Sequence, residues 1–164
     1  MSWIRKWKRN KKKYSWGYIE KACKSIAFDL YESDISRIIG LSRGGLIPAT
    51  IIANSLGVRE VYSIGLASYE LTHNGVEAPR DDIRVYQRLP SNCPKLNKRE
   101  KVLIVDDISD KGHTFEHVIN NLTKQYQSTF MTASIFIKPS TSYLPDMFYS
   151  EVPDEQWVVF PWED

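Results

Sequence analysis

"KVLIVDDISDKGHT", residues 101–114, is the stretch that decides the fold. Val102 to Val105 are four consecutive apolar residues, three of them β-branched, and read as a buried strand. The run stops on two adjacent carboxylates, Asp106 and Asp107. Like charges at the mouth of a core strand disfavour one another's ionised form, so the pair implies a cation or a set of hydrogen-bond donors opposite it. A third acid, Asp110, opens the turn "DKGHT". Beyond that turn Phe115, Val118, Ile119, Leu122 and Tyr126 fall on one helix face. A core strand that feeds a helix through a polar, glycine-bearing turn is a unit of an α/β domain, in which ligands bind beyond the carboxyl ends of the strands.

The rest of the chain repeats that alternation. "GYIEKACKSIAFDLY" (17–31) has apolar residues at helical spacing: Ile19, Ala22, Cys23, Ile26, Ala27 and Leu30. "SRIIGL" (36–41) predicts a short buried strand, and "LIPATIIANSLG" (46–57) a helix with Pro48 in its first turn and Gly57 as its stop. "EVYSIGLA" (60–67), "FMTASIFIK" (130–138) and "QWVVF" (156–160) predict three more strands. Residues 68–100 are polar and carry Gly75, Pro79, Pro90 and Pro94, which predicts a long functional or mobile loop.

At 164 residues, 42% of them hydrophobic, the chain has material for one sizeable core. No apolar run approaches the ~20 residues that span a bilayer, and the N-terminus shows no apolar signal core. Cys23 and Cys93 match no metal or redox spacing; Cys23 belongs to the helical stripe, where a free thiol serves as core filler. A reducing, cytoplasmic setting is the expectation. The net charge of +2 conceals a basic arm, "MSWIRKWKRNKKK", with seven Lys and Arg and no acid. The remaining chain carries 15 basic against 20 acidic residues. An arm of this kind is either a solvated extension or, with Trp3, Ile4 and Trp7 among its charges, a contact to an anionic membrane surface or nucleic acid. The expected division is a basic extension over 1–16 and a single domain over 17–164.

Two constellations carry chemistry. In "GLSRGGLIPA" (40–49) a strand turns into a helix through Ser42, Arg43, Gly44 and Gly45. Paired glycines admit a ligand close to the backbone, the helix N-terminus favours an anion, and Arg43 adds a cation. The sequence is equally that of an ordinary strand–helix turn. In the opening stretch, Asp106 and Asp107 suit Mg²⁺ or the hydroxyls of a sugar diol, and the amides and Thr114 hydroxyl of 110–114 suit a phosphate monoester. The plainer alternative is acids that only cap a strand and a helix. A response-regulator receiver, which also pairs acids at a strand end, places them near its N-terminus and not two-thirds along the chain.

"VLIVDDISDKGHT" resembles the phosphoribosyl-diphosphate (PRPP) binding motif of type I phosphoribosyltransferases, and "LSRGGL" (41–46) resembles the diphosphate loop of the same family. "ASYE" (67–70) resembles the start of the mobile catalytic loop in the 6-oxopurine enzymes, and "FIKP" (136–139) their base-recognising lysine. "QWVVFPWED" (156–164) resembles the C-terminus of bacterial xanthine-guanine phosphoribosyltransferases. The likeness runs over residues 17–164 with all five motifs in order, which is more specific than any one of them.

The resemblance implies an α/β fold, a mostly parallel central sheet flanked by helices with a small C-terminal hood. It implies transfer of the phosphoribosyl group from PRPP to guanine, xanthine or hypoxanthine, release of diphosphate, dependence on Mg²⁺, and a homodimer or homotetramer. Asp106 and Asp107 would hold the ribose diol and Mg²⁺. Asp110, Lys111, Gly112, His113 and Thr114 would cradle the 5′-phosphate, and Ser42, Arg43, Gly44 and Gly45 the diphosphate, with a cis peptide at Ser42–Arg43. Lys138, Trp157 and Val158 would meet the base; Asp110, Arg43, Ser68 and Tyr69 would be catalytic. Away from the family context Lys138 reads as a surface lysine and Trp157 as a core aromatic.

Three residues depart from the family's pattern: Lys111 and His113 stand where smaller side chains are usual, and Val159 where an acid is expected. His73 and His117 fit no motif. Two other readings stand beside the purine enzyme: a phosphoribosyltransferase with a different acceptor, and a PRPP- or nucleotide-sensing regulator that touches nucleic acid through its arm.

Overall fold

The computed structural model describes residues 10–71 and 77–163, without the side chains of 68–71 and 77–82. Its elements are β1 (Lys11–Lys13), α1 (Trp16–Asp29), β2 (Ile35–Ser42), α2 (Leu46–Leu56), β3 (Val61–Leu71), β4 (Glu77–Gln87), β5 (Lys101–Ser109), α3 (His113–Gln125), β6 (Thr129–Ile137), β7 (Met147–Glu151) and β8 (Trp157–Val159). Six strands form the central sheet in the order β4-β3-β2-β5-β6-β7. β3 and β4 pair antiparallel; every other pair in the sheet is parallel.

Alternation along the strands divides the core. Leu103 and Val105 join Ile38 under α1 and α2, whose Ile19, Ile26 and Ile52 are buried there. Val102 and Ile104 face the other way and meet Phe115, Val118 and Leu122 of α3. The continuous apolar run of β5 is thus a strand covered on both faces, as a parallel sheet requires. α1 begins where Ser15 caps it, its hydroxyl accepting from the Tyr18 amide at 3.2 Å. Cys23 is buried in the first of these clusters, and burial pushes its thiol up to about 12.

Two expectations need correcting. Residues 68–100 are not one loop: β3 continues to Leu71 and β4 returns antiparallel from Glu77 to Gln87. β4 is an edge strand, where charges and a proline are tolerated, so its polar composition reads as loop. Among the described residues of that span the connection from 88 to 100 remains outside the strands, and buried Arg37 ties it down by donating to Pro94 O at 2.6 Å and pairing with Glu100 at 2.8 Å. The strand expected at 156–160 is present at Trp157–Val159 and lies outside the central sheet, in the C-terminal hood. It pairs in parallel with β1, as a second, two-stranded sheet. Residues 11–14, placed by charge in the N-terminal extension, are built into the domain: Tyr14 is buried, with its ring 4.5 Å from that of Phe136. The hood is therefore made from both ends of the chain. Among the described residues no helix is long and apolar enough to cross a membrane.

Candidate active site

β2 and β5 are adjacent and parallel, with Gly40 opposite Val105, so the turn after β2 and the acids at the end of β5 emerge side by side. They touch. A Cβ on Gly44 would lie 1.9 Å from Asp107 Oδ2, and one on Gly45 would lie 2.3 Å from Val105 O and 2.9 Å from Asp106 Cα. A larger residue at Gly45 would push the two backbones apart, and one at Gly44 would displace the Asp107 side chain. The Ser42–Arg43 peptide is cis, as the resemblance implies. Arg43 is exposed at the turn. The Gly45 amide donates to Leu41 O at 2.8 Å and the Leu46 amide to Arg43 O at 3.2 Å, closing the turn onto α2, which has no side-chain cap.

Burial raises both carboxyls of the pair. Asp106 is pushed well above the usual range by loss of water and then by the neighbouring Asp107 charge. Asp107 is raised to about 7, by loss of water and then by Glu163 in the C-terminal segment. The Asp107 amide donates to Asp106 Oδ1 at 2.9 Å. Among the described residues no group of three or more His, Cys, Asp or Glu side chains gathers to hold a metal. Two hard oxygen donors fit Mg²⁺, which takes one or two carboxylates and completes its shell with water and substrate phosphate.

One turn further, Gly112 begins α3 with φ 87°, a left-handed conformation that favours glycine. A Cβ there would lie 2.4 Å from the Tyr143 amide nitrogen and 2.8 Å from Thr141 Oγ1. Residues 140–143, which no motif marks, thus form a floor beneath the turn. The Lys111 carbonyl accepts from the Ser142 amide at 3.0 Å and its hydroxyl at 2.8 Å, and Ser109 Oγ donates to Tyr143 O at 2.9 Å. Lys111 and His113 both turn their side chains outward, and Thr114 is half-buried. Asp154 is held low, first by the Ser140 hydroxyl and also by the charges of Lys111 and Lys138.

Lys138 follows β6 directly, and its amide donates to Ser109 O at 3.0 Å, which brings it beside Asp110. It is buried, not a surface lysine. Its Nζ donates to Pro153 O at 2.8 Å, to Asp154 O at 3.0 Å and to Gln156 O. Burial lowers its pKa, against the opposing charge of Asp110. Lys138 thus organises the turn that leads into Trp157. The Trp157 amide donates to Asn10 O at 2.9 Å, and Gln156 Nε2 donates to the Tyr14 hydroxyl at 3.1 Å. Trp157 is half-buried and Val158 buried. Of the predicted site residues, all but Ser68 and Tyr69 have described side chains; those two lie outside the described side chains. Tyr14 and the 140–143 floor carried no motif, and Glu163, inside the C-terminal motif, was given no role there, because each acts through a contact between distant parts of the chain.

Residues 14–163 match the phosphoribosyl transferase domain. The chain is 31% identical to the xanthine-guanine phosphoribosyltransferase of Desulfotalea psychrophila over 91% of its length and 84% of that protein. It is 30% identical to the enzyme of that name from Idiomarina loihiensis, over 96% and 90% of the two chains. The crystal structure of a purine phosphoribosyltransferase from Pyrococcus horikoshii superposes with a TM-score of 0.79 at 32% identity, covering 94% of this chain and 95% of that one.

Proposed function

Because the chain belongs to the phosphoribosyl transferase family, by a match that spans residues 14–163, we propose that it transfers the 5-phosphoribosyl group of PRPP to a 6-oxopurine base, guanine, xanthine or hypoxanthine, and releases diphosphate. The observation that carries this reading is the direct contact of the Gly44–Gly45 turn with Asp106 and Asp107. It makes one surface from an anion-binding turn and a diol-binding acid pair. PRPP presents those two groups next to each other, at C1′ and at the 2′- and 3′-hydroxyls.

Asp106 and Asp107 accept hydrogen bonds from the ribose hydroxyls and supply the carboxylates for Mg²⁺. The backbone amides of 110–114 hold the 5′-phosphate, with the Thr114 hydroxyl beside them. Ser42 to Gly45 hold the diphosphate, and Arg43 offsets its charge. Trp157 stacks on the ring and the Val158 backbone meets its pyrimidine edge; Lys138, whose three Nζ donors are taken by the Pro153, Asp154 and Gln156 carbonyls, holds the turn that presents them instead of reaching the purine O6 directly. Asp110 takes a proton at N7 while the base nitrogen bonds C1′ and the C1′–oxygen bond to diphosphate breaks, with inversion. Bound Mg²⁺ would neutralise charge that builds on the departing diphosphate. Since the reacting carbon resembles an oxocarbenium ion, fixed charges and positioning supply most of the rate enhancement. Ser68 and Tyr69 belong to the segment that would exclude water.

The test is incubation with PRPP, Mg²⁺ and each purine base in turn, followed by assay of nucleotide and diphosphate. Absence of product with every nucleobase overturns the reading. Sedimentation of the full chain decides between the homodimer and the homotetramer that the family implies.

A further inference from the structure

Tyr86 belongs to no motif, yet it contacts the diphosphate turn. It stands on edge strand β4, with β3 between it and β2. Its hydroxyl donates to the Ser42 carbonyl at 3.1 Å and lies 3.4 Å from Ser42 Oγ. The reach is open because the intervening residue is glycine. Gly65 is in register with Ser42 on one side and Gln87 on the other. A Cβ on Gly65 would lie 2.3 Å from Tyr86 Cε2 and 2.8 Å from Cδ2, so the ring occupies the room a side chain would take. Gln87 pins the end of β4 by donating from Nε2 to Ser63 Oγ at 2.7 Å. Tyr86 is 52% exposed. Burial does not force its hydroxyl to find a protein partner, since water is available to it; the aim at one particular carbonyl is a property of the arrangement.

We propose that Tyr86 is a positioning residue for the leaving-group turn. Its hydroxyl fixes the plane of the Ser42–Arg43 peptide, and with it the direction in which Arg43 and Gly44 enter the diphosphate site. The same bond fastens that turn to the β3–β4 hairpin, so that the two share one geometry. This inference rests on the phosphoribosyl-transfer reading above. It requires no chemistry of Tyr86 itself.

The test compares the wild type with Tyr86→Phe, which keeps the ring and removes the hydroxyl, and with Gly65→Ala, which pushes the ring aside. KM is measured separately for PRPP and for the base. PRPP affinity with Mg²⁺ and no base is measured by calorimetry, and the melting temperature is recorded for each variant. Tyr86→Phe is expected to weaken PRPP binding about three- to tenfold, the range of one neutral hydrogen bond. The base KM and the melting temperature stay unchanged. Gly65→Ala is expected to shift PRPP affinity in the same direction. Unchanged PRPP affinity in Tyr86→Phe, alongside an active wild type, overturns the inference alone. So does an equal loss in both KM values with a lowered melting temperature, which marks a merely structural role. A wild type that neither binds PRPP nor turns over any base overturns the functional reading and this inference with it.

Discussion

Gly44 and Asp107 meet where two parallel strands end, and a Cβ on the glycine would lie 1.9 Å from the aspartate's Oδ2 and 2.6 Å from its Cγ. This contact joins two motifs that are far apart in sequence. It also sets how each responds to mutation, because Gly44 faces a side chain that can rotate whereas Gly45 faces backbone.

Gly44→Ala is expected to fold, with Asp107 displaced, and to lose at least about tenfold in PRPP affinity. Gly45→Ala must move Val105 O and the Asp106 backbone, which would lie 2.3 Å and 2.9 Å from the new atom. It should cost about 2–3 kcal/mol of stability, as overpacking does. Urea unfolding and calorimetric titration with PRPP separate the two outcomes. Equal stability losses in both variants would contradict the distinction drawn here.

Asp106→Asn combined with Asp107→Asn removes two acids that repel one another and lose water in the folded state. The double variant is expected to be at least as stable as the wild type without ligand, yet to lose PRPP binding by about a hundredfold or more. Thermal melts and calorimetry check both halves. Normal activity in the double variant would dissolve the site assignment.

The same pair predicts a pH dependence. Asp107 is raised to about 7, above the usual ~4 of a free aspartate. The folded chain therefore keeps protons that the unfolded chain releases between those values. The stability this contributes is full below about pH 4 and is lost as pH rises through about 7. The unliganded wild type should lose melting temperature between pH 5 and pH 8 relative to Asp107→Asn. That variant has no carboxyl to ionise at this position, and its stability at pH 8 should exceed the wild type's by about 1–3 kcal/mol. If the pair takes the ribose diol and Mg²⁺ as proposed, it must be ionised in the complex, so PRPP binding at pH 6 should release protons. Calorimetry in buffers of different ionisation enthalpy counts them.

Lys138→Met removes the donor to three carbonyls, those of Pro153, Asp154 and Gln156. Stability should fall by about 1–3 kcal/mol, the cost of leaving such groups unsatisfied. The base KM should rise at least about tenfold, because the turn before Trp157 loses its anchor. PRPP affinity without base should stay within about twofold. A fall in PRPP affinity equal to the base effect would count against a role confined to the base.

Much of the site was legible because its chemistry is local. An apolar run that ends on Asp106 and Asp107, and a glycine turn that ends β2, need only a strand and the helix after it. Lys138 and Trp157 were legible by their order alone, and their burial was not: a lysine at a strand end reads as solvated until three carbonyls converge on it. β4 escaped notice because an edge strand with one face in water carries the composition of a loop. The basic tract hid Tyr14, since charge spacing cannot reveal that Lys11–Lys13 pair with Trp157–Val159.

Taken by itself, then, the sequence determined the α/β alternation, the two phosphate-type turns and the residues with which they end, because strand period, helix period and turn chemistry are properties of a few neighbouring residues. The tertiary structure alone decided what those residues face. The contact of Gly44 with Asp107, the Glu163 charge beside that same acid, the Tyr86 bond to Ser42 and the three carbonyls on Lys138 all join positions that only sheet order and register bring together. A distance across the fold depends on which strands become neighbours, and no local pattern in the chain encodes that.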